Sequence, residues 1–194
     1  MSKSDPAGSK KESNKTLRWV LTICPITMLI SGSITFLSDQ IMSVSTIAVA
    51  FLILLLIVFL GVVFDTVGVA VTAADEKPFH SMAARKVPGG AEVIRLLKNA
   101  ERVSSICNDV VGDICGVVSG SASATIAAQV LSNFTFSFPQ IVTLLMSALV
   151  AGLTVAGKAV GKSLALQSGT KILTVVGKVI YGFNNIPELF KRKK

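Results

Sequence analysis

Between Asp113 and Lys158 the chain runs for 44 residues without a charged side chain. A water-soluble domain distributes charge over every surface element, at about 25% of residues; here charged residues make up 15%. Two further stretches, residues 19–38 and 40–64, are also uncharged, and the second contains AVAFLILLLIVFLGVVF. A helix that crosses the hydrocarbon core needs about 20 apolar residues. The 44-residue run is long enough for two such helices. The segment SNFTFSFPQ, Ser132 to Gln140, breaks it in the middle, and Pro139 suits a helix start. The expected fold is therefore an all-α integral membrane protein. Its four spans lie at about 19–38, 45–73, 103–131 and 140–157.

With 51% hydrophobic residues and a mean hydropathy of +0.68, disorder, a collagen-like chain, a disulfide mini-protein and an ordinary soluble enzyme are excluded. The net charge of +8 at first admits a nucleic-acid partner. The positions of the 19 basic residues remove it. They fall in residues 1–18, in residues 77–102 and from Lys158 to the end, while segments 39–44 and 132–139 contain no Lys or Arg. Cytoplasmic loops collect Lys and Arg. Both termini and the 74–102 loop are thus expected on the cytoplasmic side. The chain divides into a basic tail (1–18), a four-helix membrane domain (19–157) and a basic interfacial helical region with its tail (158–194). No nucleic-acid partner is expected.

The first span is too long, and its polar approach too long, for a cleaved secretory signal. Cys24, Cys107 and Cys115 lie in apolar segments without CxxC spacing and read as small buried hydrophobes. Asn133-Phe134-Thr135 is a sequon that matters only in a eukaryotic secretory pathway. His80, the one histidine, reads as an interfacial side chain.

Acidic residues inside a span cost about 2.5–3.5 kcal/mol each on insertion scales and mark function by default. Asp65, Asp109 and Asp113 are expected there, with Asn108 beside the pair. At about 100° per residue, Asp109, Asp113, Gly112, Gly116, Gly120, Ser105 and Ser123 gather on one arc of the third span. Glycines at this spacing admit a second backbone, so Gly112, Gly116 and Gly120 are expected to pack helices or a dimer and to enclose the carboxylates. The second span runs inward and the third outward. Asp65 and Asp109 then lie at one level, about 10–14 Å deep at 1.5 Å per residue, with Thr66 and Ser105 as nearby oxygen donors. Hard divalent cations such as Mg²⁺ take oxygen ligands and keep several waters. The expected metal set is Asp65, Asn108, Asp109, Asp113, Thr66 and Ser105. The alternative is a plain ion pair of Asp109 with Arg102 or Lys158.

The segment AEVIRLLKNAER after Gly89-Gly90 reads as a short amphipathic helix. It is expected to be a lipid-facing element along the membrane, with a regulatory contact as the alternative. Lys158, Lys162, Lys171 and Lys178 read as the basic, lipid-facing side of interfacial helices, with Gly169 as a break, and the final KRKK as an anionic-lipid contact.

Three stretches resemble the transmembrane domain of the CNNM/CorB–CorC family of divalent-cation transporters (Mg²⁺ and Co²⁺). FDTVGVAVTAAD (Phe64 to Asp75) is similar to the family's F-S-G-x-E-T-A-L-T, RLLKNAERVSS (Arg95 to Ser105) to its L-L-E-N-P-E-R, and GKAVGKSLA (Gly157 to Ala165) to its G-E-I-I-P-K-S-L-A. The likeness runs in order over residues 45–185, and the first span is extra. Asp65, Thr66 and Gly68 stand where the family has Ser, Gly and Glu, and Lys158 and Gly161 where it has Glu and Pro. The family's G-N-N is met by Cys107-Asn108-Asp109 only with a gap, and by Val110-Val111-Gly112 without one. The family's paired CBS domains have no counterpart in this sequence.

The resemblance implies a bacterial plasma-membrane protein, a homodimer, and a bound or transported divalent cation, Mg²⁺ or Co²⁺. No organic cofactor is expected and no enzyme chemistry: HExxH and GxSxG are absent. No ATPase motif is present, so transport would draw on an ion gradient or none. The alternative is a membrane scaffold or partner subunit that kept the fold and lost the ion site.

Overall fold

The computed structural model describes the backbone of residues 6–191 and the side chains of residues 21–185. The side chains of the basic tail at 1–18 and of the terminal KRKK lie outside the described residues. Helices are α1 (Pro6–Ser43), α2 (Ile47–Ala73), α3 (Lys77–Ala84), α4 (Gly90–Leu97), α5 (Ala100–Ser105), a π-helical turn (Ile106–Gly112), α6 (Asp113–Asn133) and α7 (Pro139–Lys191). No strand occurs among the described residues. Four helical stretches are long and apolar enough to cross a membrane: Leu21–Ser43, Ile47–Ala73, Ala100–Asn133 and Pro139–Asn185.

Each start and stop has a local cause. α2 begins after Thr46, whose extended backbone releases the chain from the preceding turn. α6 ends where Phe134 goes extended, and Pro139 opens α7 with its fixed φ and missing N–H. Three boundaries differ from the expected ones, the first being that α1 begins at Pro6, inside the stretch 1–18 expected as a basic tail. α1 does not stop at residue 38 but continues to Ser43, which carries Asp39 into the helix. α7 does not stop at 157. Lys158 and Lys162 ride on an unbroken helix, and the break falls at Ser168 (φ −133°, ψ 26°), one residue before Gly169.

Neighbouring contacts give the helix directions. A Cβ at Gly61 would meet Cys115 and one at Gly68 would meet Asn108, so α2 and α6 are antiparallel. Gly157 faces Val62 and Gly161 faces Thr66, so α2 and α7 are parallel. Asp39 meets Ser121 while Met42 meets Gln129, so α1 and α6 are parallel. Four successive crossings require these directions. α2 is the hub, packed on α7, α6, the π turn and α5.

The packing has three levels. One apolar cluster joins Met42, Ala50, Leu54, Val58, Ala122, Ile126 and Val150. A second joins Ala70, Val71, Phe79, Val93, Leu97, Ala165 and Leu173. Between them, around residues 61–68 of α2, lie glycines and polar side chains. The outer faces of the spans carry exposed Leu29, Phe59, Leu144 and Leu145, as lipid-facing surfaces do.

The amphipathic helix at 90–97 forms, yet its apolar face is not turned to lipid. Val93 is fully buried and Leu97 nearly so, against Leu173 in the second half of α7 and against Phe79 of α3. Gly89 enters α4 with φ +91°, a conformation that side chains resist. It also lies so close to Gly177 that an added Cβ would stand 2.6 Å from that residue's carbonyl carbon.

Candidate functional site

The level between the two apolar clusters holds the polar residues singled out in the sequence. Asp65 projects from α2 and Lys158 from α7, and their side chains pair at 3.5 Å. The carboxylate is 17% exposed and the ammonium 31%, so water reaches the pair only in part. Gly112 closes it from the third side: a Cβ there would lie 3.5 Å from the Lys158 ammonium and 3.8 Å from an Asp65 oxygen. Lys158 is therefore turned inward, not to lipid. Its four-carbon stem lets a charge carried on an otherwise apolar stretch of α7 reach the one carboxylate at its level. Lys162, Lys171 and Lys178 are exposed, as expected of basic side chains at a membrane boundary.

The π turn sets the register of the third span. An i→i+5 turn adds a residue to one turn, and such bulges recur at functional sites. Here Cys107 and Gly112 face inward, and Asn108 lies against Gly68. The Asn108 amide donates to Ser104 Oγ at 3.3 Å, while its carbonyl oxygen is buried without a hydrogen-bond partner. An unpaired buried acceptor costs about 1–3 kcal/mol, and this oxygen packs against the α-carbon side of Gly68. Thr66 turns back to its own helix, donating to Val62 O at 2.7 Å, and its hydroxyl abuts Gly161.

The expected ligand set is thus divided. Asp65, Thr66 and Asn108 share the inner level. Asp109 and Asp113 are exposed on the other side of the third span, with Gly116 and Gly120, beside which nothing lies within 4 Å. Asp109 accepts a 2.7 Å hydrogen bond from Ser105 of its own helix. The carboxylates of the third span are not enclosed within one chain, and Gly112 belongs to the inner face rather than the open one. Among the described residues no three His, Cys, Asp or Glu side chains converge on a common point. The lone His80 pairs with exposed Glu76 at 3.5 Å. The cysteines are free: Cys24 exposed, Cys107 buried, Cys115 half-buried against Gly61.

Sequence reasoning missed Asp39, because α1 was expected to end one residue before it. Asp39 lies between α1 and α6, and both its oxygens accept from Ser121, at 3.0 and 2.9 Å. The one Ser121 hydroxyl proton is shared between the two oxygens, and the Thr125 hydroxyl lies 3.4 Å from one of them while also within donating distance of Ser121 O at 3.3 Å. The signal that could have found it is the four-residue spacing of Thr27, Ser31, Thr35 and Asp39, a polar stripe down one face of α1.

No family model, curated protein or solved structure matches this chain, so its likeness to the CNNM/CorB–CorC family rests on the three motif stretches alone.

Proposed function

We propose that the protein binds a divalent cation, Mg²⁺ or a related ion, at the level of Asp65 and moves it across the membrane in the manner of CorB/CorC-like transporters. The observation that carries this reading is the Asn108 carbonyl oxygen, buried and unpaired in a π turn one helix away from a membrane-embedded carboxylate. Asp65 and Asn108 supply oxygens of the kind hard cations take, and waters complete such a shell. Lys158 acts as a tethered cation. It neutralises Asp65 when no ion is bound and swings aside when a divalent ion displaces it.

The basic residues favour both termini and the 74–102 loop on the cytoplasmic side of a bacterial plasma membrane. Asp109, Asp113, Gly116 and Gly120 form a face that a second copy of the chain covers, in a homodimer.

The test is Mg²⁺ flux into proteoliposomes for the wild type, Asp65→Asn and Asn108→Ala. Each substitution is expected to lower flux by about tenfold or more, the scale on which loss of a metal partner acts. Equal flux in all three removes the site. A second reading, a scaffold that kept the fold without the ion, is favoured by the Lys158–Asp65 pair, which already neutralises the carboxylate. It predicts no protein-dependent flux at all.

A further inference from the structure

We infer that Asp39 is the centre of a second site, distinct from Asp65, that takes a monovalent cation between α1 and α6. The carboxylate is half-buried in a span and has no basic partner, since the ion pairs among the described residues are Lys158–Asp65 and His80–Glu76. Asp39 lies four residues before the end of the Leu21–Ser43 span, and a carboxylate partly shielded from water there gains from a counter-charge. Its hydrogen-bond donors are the neutral hydroxyls of Ser121 and Thr125, which bring no counter-charge.

The surroundings supply further oxygens. The hydroxyls of Thr35 and Ser38, on the same helix as Asp39, are buried and lack any hydrogen-bond partner. Thr35 lies one turn before Asp39 on the same face of α1. A hydroxyl that donates to Asp39 keeps its lone pairs. Ser121 and Thr125 can therefore bond Asp39 and ligate an ion together. One negative charge among neutral hydroxyls matches a single positive charge, and leaves a divalent ion under-compensated. Asp39 also stands near the C-terminal, negative end of the α1 dipole, and no basic side chain lies in that last turn.

The end of the bundle opposite α4 is the nearer one to Asp39, which lies four residues before the end of α1. A cleft of about 600 Å³ opens there, lined by Ser45, Ser132, Asn133 and Gln129. Gln129 spans from this cleft to Met42 O at 2.6 Å, one turn beyond Asp39, and its own carbonyl oxygen is unpaired. Gln129 thus joins the cleft to the last turn of α1, and its buried, unpaired oxygen is a further acceptor near the Asp39 end of the helix.

The test is thermal unfolding of the full chain in detergent with EDTA, at fixed pH. NaCl or KCl is titrated against choline chloride at equal ionic strength. The midpoint is expected to rise saturably with sodium or potassium over choline. Asp39→Asn, which keeps an acceptor for Ser121, is expected to abolish the rise, and Asp65→Asn to leave it. Thr35→Val, which spares the Asp39–Ser121 bonds, is expected to weaken the apparent affinity about tenfold. No difference from choline in the wild type overturns the proposal and leaves Asp39 as polar glue between two helices. A rise that survives in Asp39→Asn overturns it too.

Discussion

At the residue scale the decisive contact is Asp65–Lys158. In sequence, Lys158 ends a long uncharged run and looks like the mark of a membrane boundary. In the fold it lies at the level of a carboxylate eight residues inside α2. A lysine stem can reach across a helix interface, so a basic residue signals either a boundary or a buried acid. Sequence spacing does not separate the two. Asp109 was misplaced for a related reason. The regular 3.6-residue period was legible, but the π turn that reorders Asn108, Asp109 and Gly112 leaves no mark in composition. The pair makes a direct prediction. Asp65→Asn and Lys158→Met each strand one partner in a half-wet site, at about 1–3 kcal/mol. The double variant is expected to recover most of that loss, because neither charge is left alone. Unfolding midpoints of the four proteins form the cycle, and additive losses would show that the pair is not coupled. Under the transport reading, Lys158→Met also makes stability depend on Mg²⁺ more strongly than in the wild type.

At the element scale the four spans were legible because charge and length alone define them. The amphipathic helix at 90–97 was legible as well, through Val93, Ile94, Leu96 and Leu97 between charges. What covers its apolar face was not. Lipid and a neighbouring helix are equally apolar, and the answer depends on the bend at Ser168. That bend redirects α7 so that Leu173 and Gly177 meet α4. The Gly89–Gly177 approach holds this dock. A Cβ on Gly177 would stand 2.5 Å from a Val93 methyl and 2.6 Å from Gly89 O. Both neighbours are fixed, one by burial and the other by backbone. Gly177→Ala is therefore expected to loosen α4 from α7 at a cost of about 1–3 kcal/mol, as overpacking does. Limited proteolysis of the 74–102 loop reads this out. Gly182→Ala, where nothing lies within 4 Å, serves as the control and is expected to cleave like the wild type.

At the scale of the whole molecule the open face of the third span has no partner among the described residues. Asp109 and Asp113 are exposed there, within the Ala100–Asn133 stretch that is long and apolar enough to cross a membrane. Lipid cannot hydrogen-bond a carboxylate, so a single chain in a bilayer leaves two costly groups uncovered. Gly116 and Gly120 on the same face leave room for a backbone to approach, and two copies meeting there by two-fold symmetry would cover both carboxylates at once. Gly116→Leu separates this arrangement from a stability effect. Because nothing among the described residues lies within 4 Å of a Cβ built on Gly116, the substitution is expected to leave the fold of one copy undisturbed. It fills the space a second helix would need. Cross-linking in liposomes is expected to fall from mostly dimer to mostly monomer, with the unfolding midpoint of the detergent-solubilised monomer unchanged. An unchanged cross-linking yield places the dimer contact elsewhere. The Asp109 and Asp113 carboxylates must then be covered by water drawn into the open face, and Asp113→Leu is expected to stabilise the protein in a bilayer rather than disrupt its assembly.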